Sequence, residues 1–165
     1  MLFLIEILKS LKKAFFLLFI PVLTLFCLSC TPRIGPNLGS ESQALRLAQE
    51  KGGIAKVESV EICYMPEPIY RLVIGLDEKG EEKAVWIDTD VRKVVNLKEG
   101  IPQSEATQIA KDHGFAEPFY IHLIYQPSEG GKVLWRVTDA PPEAPRNHEL
   151  WLNFYDGRTI WEWKG

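Results

Sequence analysis

The chain has 165 residues, of which 46% are hydrophobic, and its formal net charge is −3. This mildly acidic balance has no basic cluster, which argues against nucleic acid as a partner and against electrostatic docking on anionic lipid. Two of the three cysteines lie in or at the end of an N-terminal apolar segment. We therefore expect no disulfide framework, with Cys63 as the free thiol of the folded part.

Residues 1–29 have the composition of a signal peptide or membrane anchor. Three lysines precede an apolar run as long as a secretory h-region. The run ends at Ser29-Cys30, which resembles a bacterial lipoprotein signal in which Cys30 would be diacylated, although Cys27 stands where such signals usually have leucine. The alternative is an uncleaved helix, because Leu11–Leu28 is about 18 residues long and could just span a bilayer. Both interpretations anchor the folded part at the outer face of the cytoplasmic membrane, and we favour the lipoprotein.

After a tether at residues 30–39, the chain repeats one pattern twice. Ser42–Gly52 and Ser104–Gly114 match in phase, with alanines and glycines at the same places. Both runs precede strand-like segments that contain similar tripeptides near their ends, Trp86-Ile87-Asp88 and Trp151-Leu152-Asn153. The repeated unit is therefore a helix followed by strands. We assign the first unit to residues 40–98 and the second to residues 99–165.

The first helix begins at the capping residue Ser40 and ends at Gly52, whereas Pro102 opens the second helix and Gly114 closes it. Each helix has a narrow apolar stripe, so we expect it to lie flat across one face of a sheet. The stripes are Ala44, Leu47 and Ala48 in the first helix and Ala106, Ile109 and Ala110 in the second.

Alternation and β-branched residues predict eight strands, and a loop with three prolines at residues 141–148 interrupts the second series. The class is α+β, with two tandem units in which a helix lies on an antiparallel sheet. The predicted strands are Lys56–Tyr64, Ile69–Asp77, Lys83–Asp88, Lys93–Leu97, Phe119–Gln126, Val133–Asp139, Glu149–Tyr155 and Thr159–Trp163.

These units resemble PepSY-type repeats, which are small cystatin-like modules. More closely, they resemble the TseB-like cell-wall elongation regulators of Gram-positive bacteria, over about residues 40–165. The runs that carry this resemblance are Ala84–Ile87, Gly100-Ile101, Glu105-Ala106, Ile109–Lys111 and Val133–Thr138. The resemblance implies a tandem pair of modules outside the membrane on one N-terminal anchor. Arg92, where the family turn usually has glycine, and Asn153, where it usually has aspartate, depart from the family pattern.

No catalytic signature or cofactor motif is present. His113, His122 and His148 have no second ligand at a metal-binding spacing, so we expect no metal site. Cys63 lies between Ile62 and Tyr64 in an apolar strand, where cysteine behaves as a small hydrophobe. We therefore predict that the protein is not an enzyme and uses no cofactor.

Four of the five tryptophans fall in the second unit, and Trp161 and Trp163 face the same way if they lie in a strand. Two interpretations remain open: the tryptophans form the core and the seam between units, or they form an exposed aromatic face with arginine anchors. Arg71 after Tyr70 and Arg136 after Trp135 are placed at equivalent positions of the two units. The candidate binding surface comprises Trp135, Arg136, Trp151, Trp161, Trp163 and Arg71.

Three functions follow as hypotheses. The first is a membrane-anchored, non-catalytic module that binds and regulates an extracytoplasmic membrane protein; the resemblance implies a penicillin-binding cell-wall synthase. The alternative is a PepSY-type inhibitor or folding modulator of a secreted peptidase, which would use a strand edge or the 141–148 loop. A third, weaker hypothesis is the binding of a glycan or small ligand in the groove between the units.

Overall fold

The computed structural model describes residues 38–64, 68–117, 119–141 and 144–165. In this part of the chain, a helix and four strands are followed by a second helix and four further strands. The α+β class and the tandem arrangement are confirmed, and the predicted strands are present with ends shifted by at most two residues. The elements are α1 (Glu41–Glu50), β1 (Lys56–Cys63), β2 (Tyr70–Leu76), β3 (Glu82–Ile87), β4 (Val91–Asn96), α2 (Gln103–Asp112), β5 (Tyr120–Gln126), β6 (Lys132–Thr138), β7 (His148–Asn153) and β8 (Thr159–Lys164).

The strands form two antiparallel sheets in which neighbours along the chain are neighbours in space. The first sheet has the order β1-β2-β3-β4 and the second has the order β5-β6-β7-β8. Both sheets belong to the same compact unit of the chain. The predicted signal segment and Cys30 lie outside the described residues. Neither helix of the described part has the length and hydropathy that a bilayer-spanning segment needs.

Helix α1 covers one face of the first sheet. The Ser40 hydroxyl caps the helix by accepting a hydrogen bond from the backbone N–H of Gln43 at 3.2 Å, which satisfies one of the unpaired donors of the first turn. The predicted stripe of Ala44, Leu47 and Ala48 is buried and packs on the sheet. Alanine lets the helix axis approach closely, so the helix lies flat on β2 and β3.

Helix α2 packs on the second sheet in the same manner. Pro102 stands at the N-cap, where its missing N–H costs nothing, and the buried Ala106 and Ala110 face the sheet. Ile109 is only partly buried, at the margin of this contact. Both predicted helix stripes are therefore confirmed, with Ile109 at the edge of the second.

The second face of the first sheet is closed by the second repeat. Tyr70, Leu72 and Trp86 point away from α1 and share one hydrophobic core with residues of the second sheet. The ring of Tyr125 in β5 lies 5.7 Å from the ring of Tyr70 and 6.2 Å from that of Trp86, measured between centroids. The first sheet is thus packed on both faces, and Trp86 is completely buried.

The segment between the repeats is held to the second sheet. The backbone N–H of Ile101 donates to the carbonyl of Phe154 at 2.8 Å, and the indole N–H of Trp135 donates to the carbonyl of Ile101 at 3.1 Å. Gly100 is packed so closely that a Cβ there would lie 2.4 Å from the ring of Phe154. These contacts position the first repeat against the second.

Asp88 and Asn153, which match in the repeat, make the same turn. The side-chain oxygen of each accepts a hydrogen bond from the backbone N–H two residues on, at 3.0 Å for Asp88 and 2.8 Å for Asn153. An amide oxygen and a carboxylate oxygen serve equally in this role. The exchange of aspartate for asparagine therefore keeps the turn.

The matched glycines Gly52 and Gly114 end their helices for different physical reasons. Gly114 has a φ of +92°, a left-handed conformation that disfavours any side chain. Gly52 instead lies against the sheet, where a Cβ would be 2.6 Å from the carbonyl oxygen of Ala48 and 2.8 Å from a methyl of Val85.

We predict that Gly52→Ala lowers the free energy of unfolding by about 2 kcal/mol, because backbone atoms in the contact cannot move away. Gly114→Ala should cost about 1 kcal/mol, from backbone strain alone. Urea unfolding followed by tryptophan fluorescence measures both, with Gln49→Ala on the exposed side of α1 as the control. A Gly52→Ala variant as stable as the control would contradict this packing.

Candidate functional site

The outer face of the second sheet, meaning the face opposite α2, carries the most conspicuous group of side chains. In the register of the sheet, Arg136 pairs with Trp151, and Trp151 pairs with Trp161. Glu149 and Trp163 form the next pair along the same face. Alternation therefore brings three of the predicted tryptophans and one predicted arginine together.

These tryptophans are only partly packed. Trp161 is 45% exposed and Trp163 is 43% exposed, whereas Trp151 is half-buried. The rings of Trp151 and Trp161 lie 5.5 Å apart in a tilted arrangement. At the other end of this face Ile124 and Leu134 are buried, so the accessible part is the end that carries Trp161 and Trp163.

A buried ion pair lies beside the tryptophans. The Nε of Arg136 donates to Oε1 of Glu149 at 2.6 Å, and both side chains are buried. The same Oε1 accepts a hydrogen bond from the indole N–H of Trp151 at 2.8 Å, and Nη1 of Arg146 lies 3.3 Å from Oε2. Glu149 therefore orients the arginine and the tryptophan of this face together.

Three buried side-chain atoms from the strands of this face have no hydrogen-bond partner among the described residues: Nη2 of Arg136, Nε2 of His122 and Oε1 of Gln126. Arg136 and His122 pair directly across β5 and β6. The ring of His122 stacks parallel to that of Tyr120 at 6.5 Å. These atoms have almost no accessible surface, so they do not belong to the accessible part of the face.

Two of the predicted binding residues lie elsewhere. Trp135 is 8% exposed and faces α2, with its ring 6.4 Å from that of Phe154 in the core. Arg71 is buried in the first sheet, where its Nε donates to the carbonyl of Gly39 before α1 at 3.1 Å. Trp135 and Arg71 have structural contacts and do not adjoin the exposed tryptophans.

The predicted equivalence of Arg71 and Arg136 is wrong. Arg71 pairs with Ile87, the residue after Trp86, whereas Arg136 pairs with Trp151 itself. The two arginines are therefore one register position apart. A shift of one residue in a strand turns a side chain to the opposite face, so Arg71 points to the α1 side and Arg136 points away from α2.

The sequence missed a cluster around Glu162 on the other side of the second sheet. His148 Nε2 lies 2.8 Å from one carboxylate oxygen and His113 Nδ1 lies 3.1 Å from the other. Lys164 Nζ lies 2.9 Å from Glu162 Oε1, and the ring of Phe115 stacks on that of His148 at 3.8 Å. The histidines are 49 and 14 positions from Glu162 along the chain, so no local spacing signals the cluster.

Two further candidates for reactive chemistry are the Cys63 thiol and the metal-ligating side chains. Burial, followed by the nearby Glu61 carboxylate, raises the pKa of Cys63 to about 12, which keeps the thiol protonated at neutral pH. The described residues contain no group of three His, Cys, Asp or Glu side chains arranged to hold a metal ion.

Comparison with known proteins gives one structural neighbour. No family model matches the chain, and no curated protein matches it. Among solved structures, the fold is similar to that of the YpmB protein from Bacillus subtilis, with a TM-score of 0.60 and 28% sequence identity. The alignment covers 77% of this chain and 98% of that chain.

We predict that Glu149→Ala lowers the free energy of unfolding by about 3 kcal/mol, because it leaves the buried Arg136 charge without its partner. Glu50→Ala removes a carboxylate that is 3.9 Å from Arg46 on the exposed surface and should change stability by less than about 0.5 kcal/mol. Denaturant unfolding of both variants provides the comparison. Equal, small losses would show that the Arg136–Glu149 pair is not stabilising.

The Glu162 cluster predicts acid sensitivity. The hydrogen bond from His148, then that from Lys164, and also the contact with His113 lower the pKa of Glu162 from 4.5 to about 2. A lowered folded-state pKa contributes stability that is complete above pH 4.5 and is lost as the pH falls toward 2. The melting temperature should therefore decline over this interval, and Glu162→Gln should flatten the decline. Glu58→Gln, at an exposed position of β1, should not.

Proposed function

We propose that this protein is a non-catalytic, membrane-anchored interaction module that binds and regulates a penicillin-binding cell-wall synthase outside the cytoplasmic membrane, as a TseB-like regulator built from PepSY-type, cystatin-like units. The observation that carries the proposal is the outer face of the second sheet, with Trp161 and Trp163 exposed beside the buried Arg136–Glu149 pair. Tryptophan and arginine are the residues that most often dominate binding energy at protein interfaces. The tandem fold shared with YpmB is consistent with this proposal.

The chemistry of the face indicates the kind of partner surface that it fits. Trp161 and Trp163 offer apolar area, and the buried Arg136–Glu149 pair holds Trp151 beside them. A partner that brings apolar side chains to this end of the face would bury the exposed rings.

The proposed membrane anchor would contribute to regulation as well as the binding face. A lipid on Cys30, followed by the tether to residue 39, would hold the folded part close to the membrane. Tethering two partners to one membrane raises their effective concentration, so a weak contact suffices for regulation. The sequence features at Ser29-Cys30 support this arrangement, and retention of residues 1–29 in the mature chain would contradict the lipid anchor.

The test is photo-crosslinking in intact bacteria that produce the full chain. A photoreactive phenylalanine analogue at position 161 should capture a penicillin-binding protein, whereas the same analogue at Glu78, in an exposed turn of the first repeat, should not. Recovery of a secreted peptidase from position 161 would instead support the inhibitor or folding-modulator alternative. Capture of the same proteins at both positions would contradict a binding site on the outer face.

Replacement of the exposed rings separates binding from folding. The double variant Trp161→Ala and Trp163→Ala should lose the crosslink, measured with the analogue at Tyr120 on the same face. Its free energy of unfolding should fall by only about 1 kcal/mol, the value of a partly exposed aromatic pair. The control is Tyr155→Ala, which removes another exposed ring, from the turn after β7. If the control also loses the crosslink, the tryptophans are not the specific determinants.

A further inference from the structure

Strand β8 forms an open edge of the second sheet. Among the described residues, β8 pairs with β7 and with no other strand. It is also the edge strand that carries the exposed Trp161 and Trp163. An edge that combines unpaired backbone groups with exposed apolar side chains is a template for pairing with another chain.

The hydrogen-bond pattern shows which backbone groups of β8 are open. The backbone N–H of Gly165 donates to the carbonyl of Asn147, just before β7, at 2.7 Å. In an antiparallel ladder every second pair of residues exchanges hydrogen bonds, so the bonds to β7 continue at Trp163. The backbone N–H and carbonyl groups of Glu162 and Lys164 consequently point away from β7, to the open edge.

The other ladder of β7 agrees with this assignment. The backbone N–H of Asp139, next to β6, donates to the carbonyl of His148 at 3.2 Å. His148 therefore turns its carbonyl toward β6 and away from Lys164, its partner in β8. The backbone of Lys164 is left facing the open edge, as the alternation requires.

The charges of β8 select one register for pairing with β8 of a second copy. The open backbone groups allow a two-fold axis at Glu162, at Trp163 or at Lys164. An axis at Glu162 or at Lys164 sets two like charges directly opposite each other, which destabilises the pair. An axis at Trp163 instead sets Glu162 of each copy opposite Lys164 of the other, and the open backbone groups of both residues meet.

The side chains of this charged pair are placed for such an exchange. His148 and His113 of the same copy contact the two carboxylate oxygens of Glu162 and fix its position. Lys164 Nζ lies 2.9 Å from this carboxylate, but the lysine side chain is 59% exposed and can turn from its own Glu162 to that of a second copy. The exchange leaves every carboxylate with a lysine partner.

The aromatic residues of β8 suit the same register. Residues at the axis form a non-hydrogen-bonded pair with Cα atoms about 4.5 Å apart, so the Trp163 side chains of the two copies meet. Aromatic cross-strand pairs of this kind stabilise a sheet. The Trp163 ring lies against Gly165, where a Cβ would be 3.1 Å from it. Because Gly165 stands opposite Trp161 of the second copy in this register, the Trp163 ring extends toward that tryptophan.

We propose that two copies of this chain pair edge to edge through β8, antiparallel and with the two-fold axis at Trp163. The pairing joins the second sheets of the two copies into one sheet of eight strands, with Trp161 and Trp163 of both copies on one continuous outer face. Each copy uses its β8 edge once, and a two-fold contact closes on itself, so the product is a dimer and not a fibre. This dimer does not depend on the cell-wall partner proposed above.

The test is disulfide crosslinking of the full chain in bacterial membranes under a mild oxidant, read by non-reducing electrophoresis. Trp163→Cys should form a linked dimer, because residues at the axis lie within the Cα separation of roughly 4.4–6.8 Å that a disulfide needs. Trp161→Cys is the matched control, since it removes the same kind of exposed ring from the same face. Its two copies would lie four residues apart along the strands, more than about 13 Å, which is too far for a disulfide.

The unsubstituted chain, which has the same native cysteines, gives the background of this experiment. We expect the dimer yield of Trp163→Cys to be at least about tenfold higher than that of Trp161→Cys or of the background.

Charge reversal tests the register. In the Trp163→Cys chain, Lys164→Glu would set two carboxylates opposite each other and should lower the dimer yield by at least about fivefold. Lys79→Glu, in an exposed turn of the first repeat, changes the net charge equally and should change the yield by less than about twofold. If thermal unfolding shows that Lys164→Glu is not folded, Lys164→Gln takes its place, because it removes the attraction without adding a like charge.

Three results would each overturn the proposal. They are equal dimer yields at positions 163 and 161, no dimer at either position, and a yield at position 163 that does not change when the charge of Lys164 is removed or reversed.

Discussion

The architecture depends on how many sheet faces must be covered and how many elements are available to cover them. Each repeat contributes one sheet with two faces and one helix that covers only one of them. In the first repeat the remaining face is buried by the second repeat, where Tyr125 contacts Tyr70 and Trp86. In the second repeat the end of the outer face that carries Trp161 and Trp163 stays accessible. Apolar side chains left there offer area to a partner.

This asymmetry gives matched residues different surroundings. Trp86 and Trp151 occupy the same position of the repeat, yet Trp86 is completely buried and Trp151 is half-buried. The difference arises from the neighbour and not from the local strand, because both side chains point away from the helix of their own repeat. The backbone of Ile101, in the segment between the repeats, is hydrogen-bonded to Trp135 and Phe154. These bonds position the two repeats against each other.

The outer face has a chemistry of its own. It combines the exposed rings of Trp161 and Trp163 with the buried pair of Arg136 and Glu149, which orients Trp151 beside them. Aromatic rings held in place by buried polar contacts suit the surface of a folded protein partner.

The sequence by itself determined the helices, strands and turns, which depend on residues close together in the chain. Alanine stripes such as Ala44 to Ala48 place each helix on a sheet, alternation locates the strands, and Asp88 and Asn153 mark turns, because these features depend on residues a few positions apart. The pairing register between strands could not be read from the sequence in this way. It is the register that turns Arg71 toward α1 and Arg136 away from α2. Nor could the meeting of two histidines at Glu162 be read from the sequence. The packing of one repeat on the other also decided which tryptophans are buried, since burial depends on neighbours that are distant in the chain and close only in the folded molecule.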